Sequence, residues 1–482
     1  MLTMKVRENG EQNRKKVLIV SHYFPPLTTI TTRPYLLAKY LSRKYDVYVI
    51  TTKKTSFHGV FSFKDKRKEN LESSGVRIFE VKHQPFDFIY NIITRYIQRK
   101  GVRDGETGKD DGTAYKVSEN ILFKLKAFRD VFLKIFGPNF DIFFSWLPNL
   151  MYQIFDLKRK YNFDFIITTF PPPTVVIAGF LTKITFPDVI WIQDYRDLWS
   201  YDVYFSNPAV VKLTLPFERA LISKADCITT ISFHLEEILK SVLGRKIYVI
   251  RNSFDPEEFD ISELTKKVKE KGEKRKINRN AGKSKKVFSY TGAFYPKGRN
   301  PEKFFESLHI LSKKYGDLKD KIEVNIYGIP NMNISQLIQK YNLDDIVHYR
   351  GVVSYGESRE IQKISDFLLF FNITEVRLNE NLDKGVITGK IFEYITSGVP
   401  IISIGLFEDS EANQIIKGTG TGIFVKNEPE KIADLLEKIL YKGWEIPFEP
   451  DLNKIMEFSA ENMANKFAEL FDKPEKQKFF VT

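Results

Sequence analysis

Apolar runs too short for helices recur along this chain, and between them apolar residues fall three and four apart. Val17 to Val20 is one such run; Leu36, Leu37, Tyr40 and Leu41 then mark one face of a helix over 32–42. Val47-Tyr-Val-Ile-Thr is the next strand, so the chain opens with a β–α–β unit. Further strands are predicted at Asp164-Phe-Ile-Ile-Thr-Thr, Val189-Ile-Trp-Ile-Gln, Ala225-Asp-Cys-Ile-Thr-Thr and Ile247-Tyr-Val-Ile, with helices at 146–161 and 217–224. A second series runs Val287-Phe-Ser-Tyr-Thr, Glu323-Val-Asn-Ile-Tyr, Val347-His-Tyr-Arg and Phe367-Leu-Leu-Phe-Phe, and a last helix is predicted over 452–471. Strands that are apolar throughout and alternate with helices belong to parallel sheets covered on both faces. The expectation is therefore an α/β chain.

One stretch breaks this rhythm with chemistry. Residues 385–400 read GVITGKIFEYITSGVP. The local reading is a loop ending at Thr388 as N-cap, a helix to about Ser397, Gly398 in the left-handed position and Pro400 barring continuation. Lys390, Glu393 and Tyr394 then share a face while Ile391 and Ile395 turn inward. A cation beside a helix start suits a diphosphate, and a carboxylate one turn on suits paired hydroxyls such as a ribose. Two other places carry candidate groups. Gly292, Lys297 and Arg299 follow a strand and precede a helix near Pro301, which offers pliant backbone and two cations for phosphate. Asp194-Tyr-Arg-Asp-Leu-Trp ends another strand, and two acids, an Arg and a Trp at a strand's carboxyl end form a site-like cluster. His22, after the first strand, is the titratable residue of its loop.

Composition narrows the class. At 482 residues the chain is too long for one core and suits two domains. No apolar run approaches the roughly 18–20 residues of a membrane span. The first sixteen residues are polar and basic, unlike a secretory leader. Cys227 is the only cysteine, which excludes an internal disulfide and makes a reducing cytoplasm the expected compartment. The net charge of +13 is concentrated: 266–286 holds eleven Lys or Arg and two Glu. That run has no aromatic residue for base stacking, so no nucleic-acid partner is expected. It reads as a solvated linker that could also be drawn to an anionic membrane surface. A helical stripe at 121–135, edged with lysines, can pack on its domain or lie on a membrane.

The segment TGKIFEYITSGVPII resembles the nucleotide-binding segment of retaining glycosyltransferases of family 4, which have the GT-B fold. The segments at 194–199, 225–232, 247–256 and 291–301 resemble that family in the same order. The resemblance implies two Rossmann-like domains facing across a cleft, 1–259 on the acceptor side and 287–449 binding the nucleotide sugar. A basic linker at 260–286 joins them, and residues 450–482 return to the first domain. It implies transfer of a sugar from a nucleotide-diphosphate sugar to a glycan or lipid-linked acceptor, in the cytoplasm or at the inner face of the cell membrane. By the same resemblance Glu393 binds the ribose, and Gly292, Lys297, Arg299, Gly389 and Lys390 line the diphosphate. Arg299 and Lys390 would also stabilise the leaving group, with Asp194 acting on the acceptor side. No cofactor is implied, and with no Asp-x-Asp segment no metal is expected. In the family a second glutamate, which contacts the donor sugar, stands eight residues before the ribose-binding one; here that position is Gly385. A nucleotide-sugar epimerase, or a non-catalytic subunit that binds nucleotide sugar or a membrane surface, remains as an alternative reading.

Overall fold

The computed structural model describes residues 14–25, 32–53, 67–83, 144–201, 208–259, 285–296, 298–329, 332–375 and 380–472. Lys297, residues 101–120, the helical stripe expected at 121–135 and the basic run up to residue 284 lie outside them. The chain divides into two compact units. The first holds 1–229, 243–247 and 467–482, and the second 230–242 with 248–466.

A seven-stranded sheet has the order β3-β2-β1-β4-β5-β6-β7. Its strands are β1 (Lys16–Val20), β2 (Asp46–Thr52), β3 (Arg77–Val81), β4 (Phe165–Phe170), β5 (Ile190–Tyr195), β6 (Cys227–Thr230) and β7 (Tyr248–Val249). β1 pairs in parallel with both β2 and β4. Every residue of β4 is buried, as the unbroken apolar run requires of a strand covered on both faces. Helix α1 (Thr32–Leu41) and helix α2 (Leu147–Tyr161) lie in this unit. So does α3 (Pro173–Thr185), which starts at the end of the run Pro171-Pro-Pro. Pro173 sits at the first helical position, where the missing N–H costs nothing. α4 (Pro208–Ile222) is longer than the 217–224 expected. β3 is a strand with no counterpart in the expectation, because its Arg77 and Glu80 break the apolar run.

The second unit carries a six-stranded sheet in the order β10-β9-β8-β11-β12-β13. The strands are β8 (Lys286–Thr291), β9 (Ile322–Tyr327), β10 (Val347–Gly351), β11 (Phe367–Phe371), β12 (Ile401–Gly405) and β13 (Gly422–Lys426). All pairs in it are parallel. This is the doubly wound order, in which ligands sit at the carboxyl ends of the strands where the winding reverses, here between β8 and β11. Phe288, Val324, Leu369 and Ile402 fill the core of this sheet with Phe304 and Leu308 of α6 (Glu302–Lys314).

The last predicted helix is two. Leu452–Met456 is followed by a break at which Phe254 bridges Ser459, and only then by Ala460–Asp472. The end of that second helix belongs to the first unit, where Phe471 stacks on Phe165 at 4.1 Å.

Candidate functional site

The segment singled out at 385–400 folds otherwise than expected at its start. Helix α8 spans only Lys390–Tyr394, and Gly389, not Thr388, takes the N-cap position without a side-chain bond. Thr388 Oγ1 is buried with no partner. A five-residue helix has little dipole to offer, so the cations matter more than the helix end. The remaining turns run to Gly398, whose φ of +73° is the left-handed conformation expected.

Tyr394 is the second correction. Expected beside Lys390 and Glu393 on an open face, it is buried and anchors the segment to the sheet. Its hydroxyl accepts the Thr291 N–H at 3.0 Å at the end of β8. Burial pushes its pKa up to about 12, so it remains a phenol at any physiological pH.

This anchor brings the predicted residues together. Immediately after β8, Gly292 lies under the Lys390 ammonium; a Cβ there would collide with Lys390 Nζ and come within 2.7 Å of the Tyr290 hydroxyl. Lys390 Nζ also stands 5.6 Å from the centre of the Tyr290 ring. Burial lowers the Lys390 pKa to about 8, with Glu393 opposing the shift and the charge of Arg299 adding to it. Arg299 is held by a tight loop: Tyr295 and Arg299 exchange two backbone hydrogen bonds, at 3.1 and 3.2 Å. Gly298 O accepts the Thr374 N–H at 2.7 Å, which ties the loop to the end of β11. Neither Lys390 nor Arg299 is bonded to a carboxylate among the described residues. Two cations within electrostatic reach of each other, neither bonded to a carboxylate among the described residues, form an arrangement that can hold an anion.

Glu393 is half-buried, and its Oε2 accepts from Gln362 Nε2 at 3.2 Å. Gln362 lies on α7 (Tyr355–Ile364) and is fully buried; the same nitrogen donates to Thr291 Oγ1 at 3.0 Å. A polar residue inside the apolar face of an amphipathic helix is the one signal in sequence that could have found it. Gly389 is exposed with open space on its side-chain position.

Gly385 is packed against side chains. A Cβ at this position would lie 2.7 Å from His234 Cβ and 3.2 Å from Ser232 Oγ. His234 is on α5 (Phe233–Leu243), and its Nδ1 is 2.9 Å from Glu411 Oε1. Glu411, 1% exposed, also takes Arg251 Nη2 at 2.9 Å on its other oxygen. Glu411 opens α9 (Glu411–Gly418), whose N-cap is Ser410. None of these contacts was legible in the local spacing.

In the first unit Asp194 is fully buried and turned into the fold. Arg33 holds it with two hydrogen bonds, Nε to Oδ2 at 3.0 Å and Nη2 to Oδ1 at 2.8 Å, and Thr229 donates to Oδ1 at 2.7 Å. Its partner is Arg33, not the neighbouring Arg196, which instead donates to Phe170 O at 3.1 Å. His22 is also buried, its Nε2 3.3 Å from His83 Nε2. Among the described residues no group of three or more His, Cys, Asp or Glu converges to hold a metal, and no helix is long and apolar enough to cross a membrane.

The two doubly wound sheets and the path of the last helix match known structures over nearly the whole chain. The fold is GT-B. A glycosyltransferase from Rickettsia africae aligns over 97% of this chain and 100% of its own, with a TM-score of 0.55 and 13% identity. Anabaena HepE, solved in complex with UDP-glucose, aligns over 95% and 99% with a TM-score of 0.56 and 12% identity. The N-terminal domain of a Candida albicans trehalose-6-phosphate phosphatase does so over 97% and 99%, with a TM-score of 0.57 and 13% identity. At such identities the likeness is one of fold, shared by proteins of different names. No protein-family model matches the chain, and no curated protein matches it in sequence.

Proposed function

We propose that this protein is a retaining glycosyltransferase resembling family 4, which moves a sugar from a nucleotide-diphosphate sugar to a glycan or lipid-linked acceptor. The observation that carries the reading is Lys390 over Gly292 at the carboxyl end of β8, with Arg299 within electrostatic reach and neither cation bonded to a carboxylate among the described residues. A diphosphate supplies the charge they lack, and Gly292 lets it approach the backbone. Glu393, presented by Gln362, accepts the ribose hydroxyls. The HepE structure with UDP-glucose supports a nucleotide sugar as the ligand of this fold.

Breaking the bond between anomeric carbon and phosphate oxygen leaves negative charge on the diphosphate and positive charge on the sugar. Lys390 and Arg299 face the first of these, and one well-placed donor of this kind is worth roughly 3–4 kcal/mol. The acceptor hydroxyl attacks the anomeric carbon as the bond to the diphosphate oxygen breaks, and its proton passes to that departing oxygen. Asp194 is locked to Arg33 and positions β5 in this reading, so the acceptor side of the chemistry rests on other groups.

The test is thermal unfolding with UDP, GDP, ADP and dTDP in turn. A ligand at a hundred times its dissociation constant adds about 2.7 kcal/mol to the folded state. One nucleotide should raise the midpoint in wild type and fail to do so in Lys390→Ala and Glu393→Ala. Equal shifts in wild type and both variants would overturn the site.

A further inference from the structure

We propose that His234 is the sugar-contacting residue of this site, receiving a hydroxyl of the donor sugar on its Nε2. The inference deepens the nucleotide-sugar reading and rests on it.

The imidazole is oriented by a chain of contacts that leaves one nitrogen over. Glu411 Oε1 takes both the His234 backbone N–H, at 2.8 Å, and Nδ1, at 2.9 Å. Arg251 Nη2 meets the other oxygen of Glu411 at 2.9 Å. A carboxylate oxygen only accepts, so Nδ1 carries the proton of this contact and Nε2 is the ring nitrogen left over. Nothing among the described residues bonds Nε2, and it is not sealed from solvent: the side chain is 21% exposed. A carboxylate holding the far nitrogen of a histidine is the arrangement that fixes a ring for work at its other nitrogen.

Its location supplies the ligand. His234 Cβ fills the space a side chain at 385 would need, and five residues after Gly385 the chain delivers Lys390. Beyond the diphosphate of a nucleotide sugar comes the sugar itself. A hydroxyl both donates and accepts, so it can pair with an imidazole nitrogen, and the hydroxyls of a nucleotide sugar beyond its ribose are on the sugar. Gly385 is thus a glycine because the histidine already stands there.

The variants separate this role from a structural one. His234→Asn places an amide where Nδ1 was and keeps the bond to Glu411, but has nothing at Nε2; His234→Gln reaches the Nε2 position. Titration calorimetry would use UDP, GDP, ADP and dTDP, and the glucose, galactose and N-acetylglucosamine forms of whichever binds. His234→Asn should bind the bare diphosphate within twofold of wild type and the preferred sugar nucleotide at least tenfold more weakly. His234→Gln should recover part of that loss. Gly385→Ala, whose methyl displaces the histidine, should show the same selective loss and serves if the Asn variant does not fold. Equal affinities in wild type and His234→Asn overturn the proposal, as does a loss of equal size for diphosphate and sugar nucleotide. A wild-type protein that binds no nucleotide but is well folded overturns the donor site and this inference together; one that binds diphosphate, with an unchanged sugar increment in the variants, overturns the inference alone.

Discussion

Lys390 shows what a buried cation costs the fold that carries it. Its pKa in the folded protein, about 8, lies below the ordinary lysine value of about 10.4. The charged form is therefore the destabilised one in the folded state. That cost is fully present below about pH 8 and fades as pH rises towards the unfolded value. Lys390→Met should accordingly raise the unfolding free energy at pH 7, by on the order of 1–2 kcal/mol once partial exposure is allowed for, and the gain should vanish above about pH 10. Urea melts at the two pH values check it. Binding runs the other way. An anion needs the ammonium form, so affinity for the nucleotide diphosphate should fall between pH 7 and 9 in wild type, and fall less in Lys390→Arg. Calorimetric titrations across that range decide it.

Among the elements, the join between β8 and α8 matters most. Tyr394→Phe removes the acceptor of the buried Thr291 N–H. An orphaned buried donor costs about 1–3 kcal/mol, which a shift of the melting midpoint would show. Gly292→Ala should act on both counts, since its methyl meets the end of a flexible lysine and also the hydroxyl end of the buried Tyr290 ring. Nucleotide affinity should drop at least tenfold and the melting midpoint should fall as well; a normal affinity would mean that Lys390 does not work over Gly292. What was legible here follows from the kind of interaction involved. Gly398 and the inward Ile391 and Ile395 were readable because backbone conformation and periodicity are local. The burial of Tyr394, the Gln362 bridge and the Arg33–Asp194 pair were not. Each depends on a partner between 31 and 161 residues away, which no local spacing encodes.

Over the whole molecule, the alternation of apolar strands with helices sufficed for the α/β class and its parallel sheets, while the two Rossmann-like domains were legible through the resemblance. It missed β3, where charges interrupt the strand, and the break at 457–459 in the last helix. The nucleotide reading makes a regional prediction. On adding the nucleotide that binds, slowed amide exchange should concentrate at 291–299 and 388–394, while β1 and β2 exchange as before. Protection confined to the first unit would be incompatible with a donor site at Lys390.

The stacking of Phe471 on Phe165 also has a consequence in time. Phe467 and Phe471 reach residues near the start of the chain: Arg33 lies 5.4 Å from the Phe467 ring, and Tyr45 packs edge-on against Phe471. During synthesis, at ~5–20 residues per second, those early residues wait roughly 20–90 seconds for their partners to be made. The first unit therefore leaves the ribosome with an apolar surface still uncovered. Nascent chains halted before residue 460 should accordingly be the ones that chaperones hold longest.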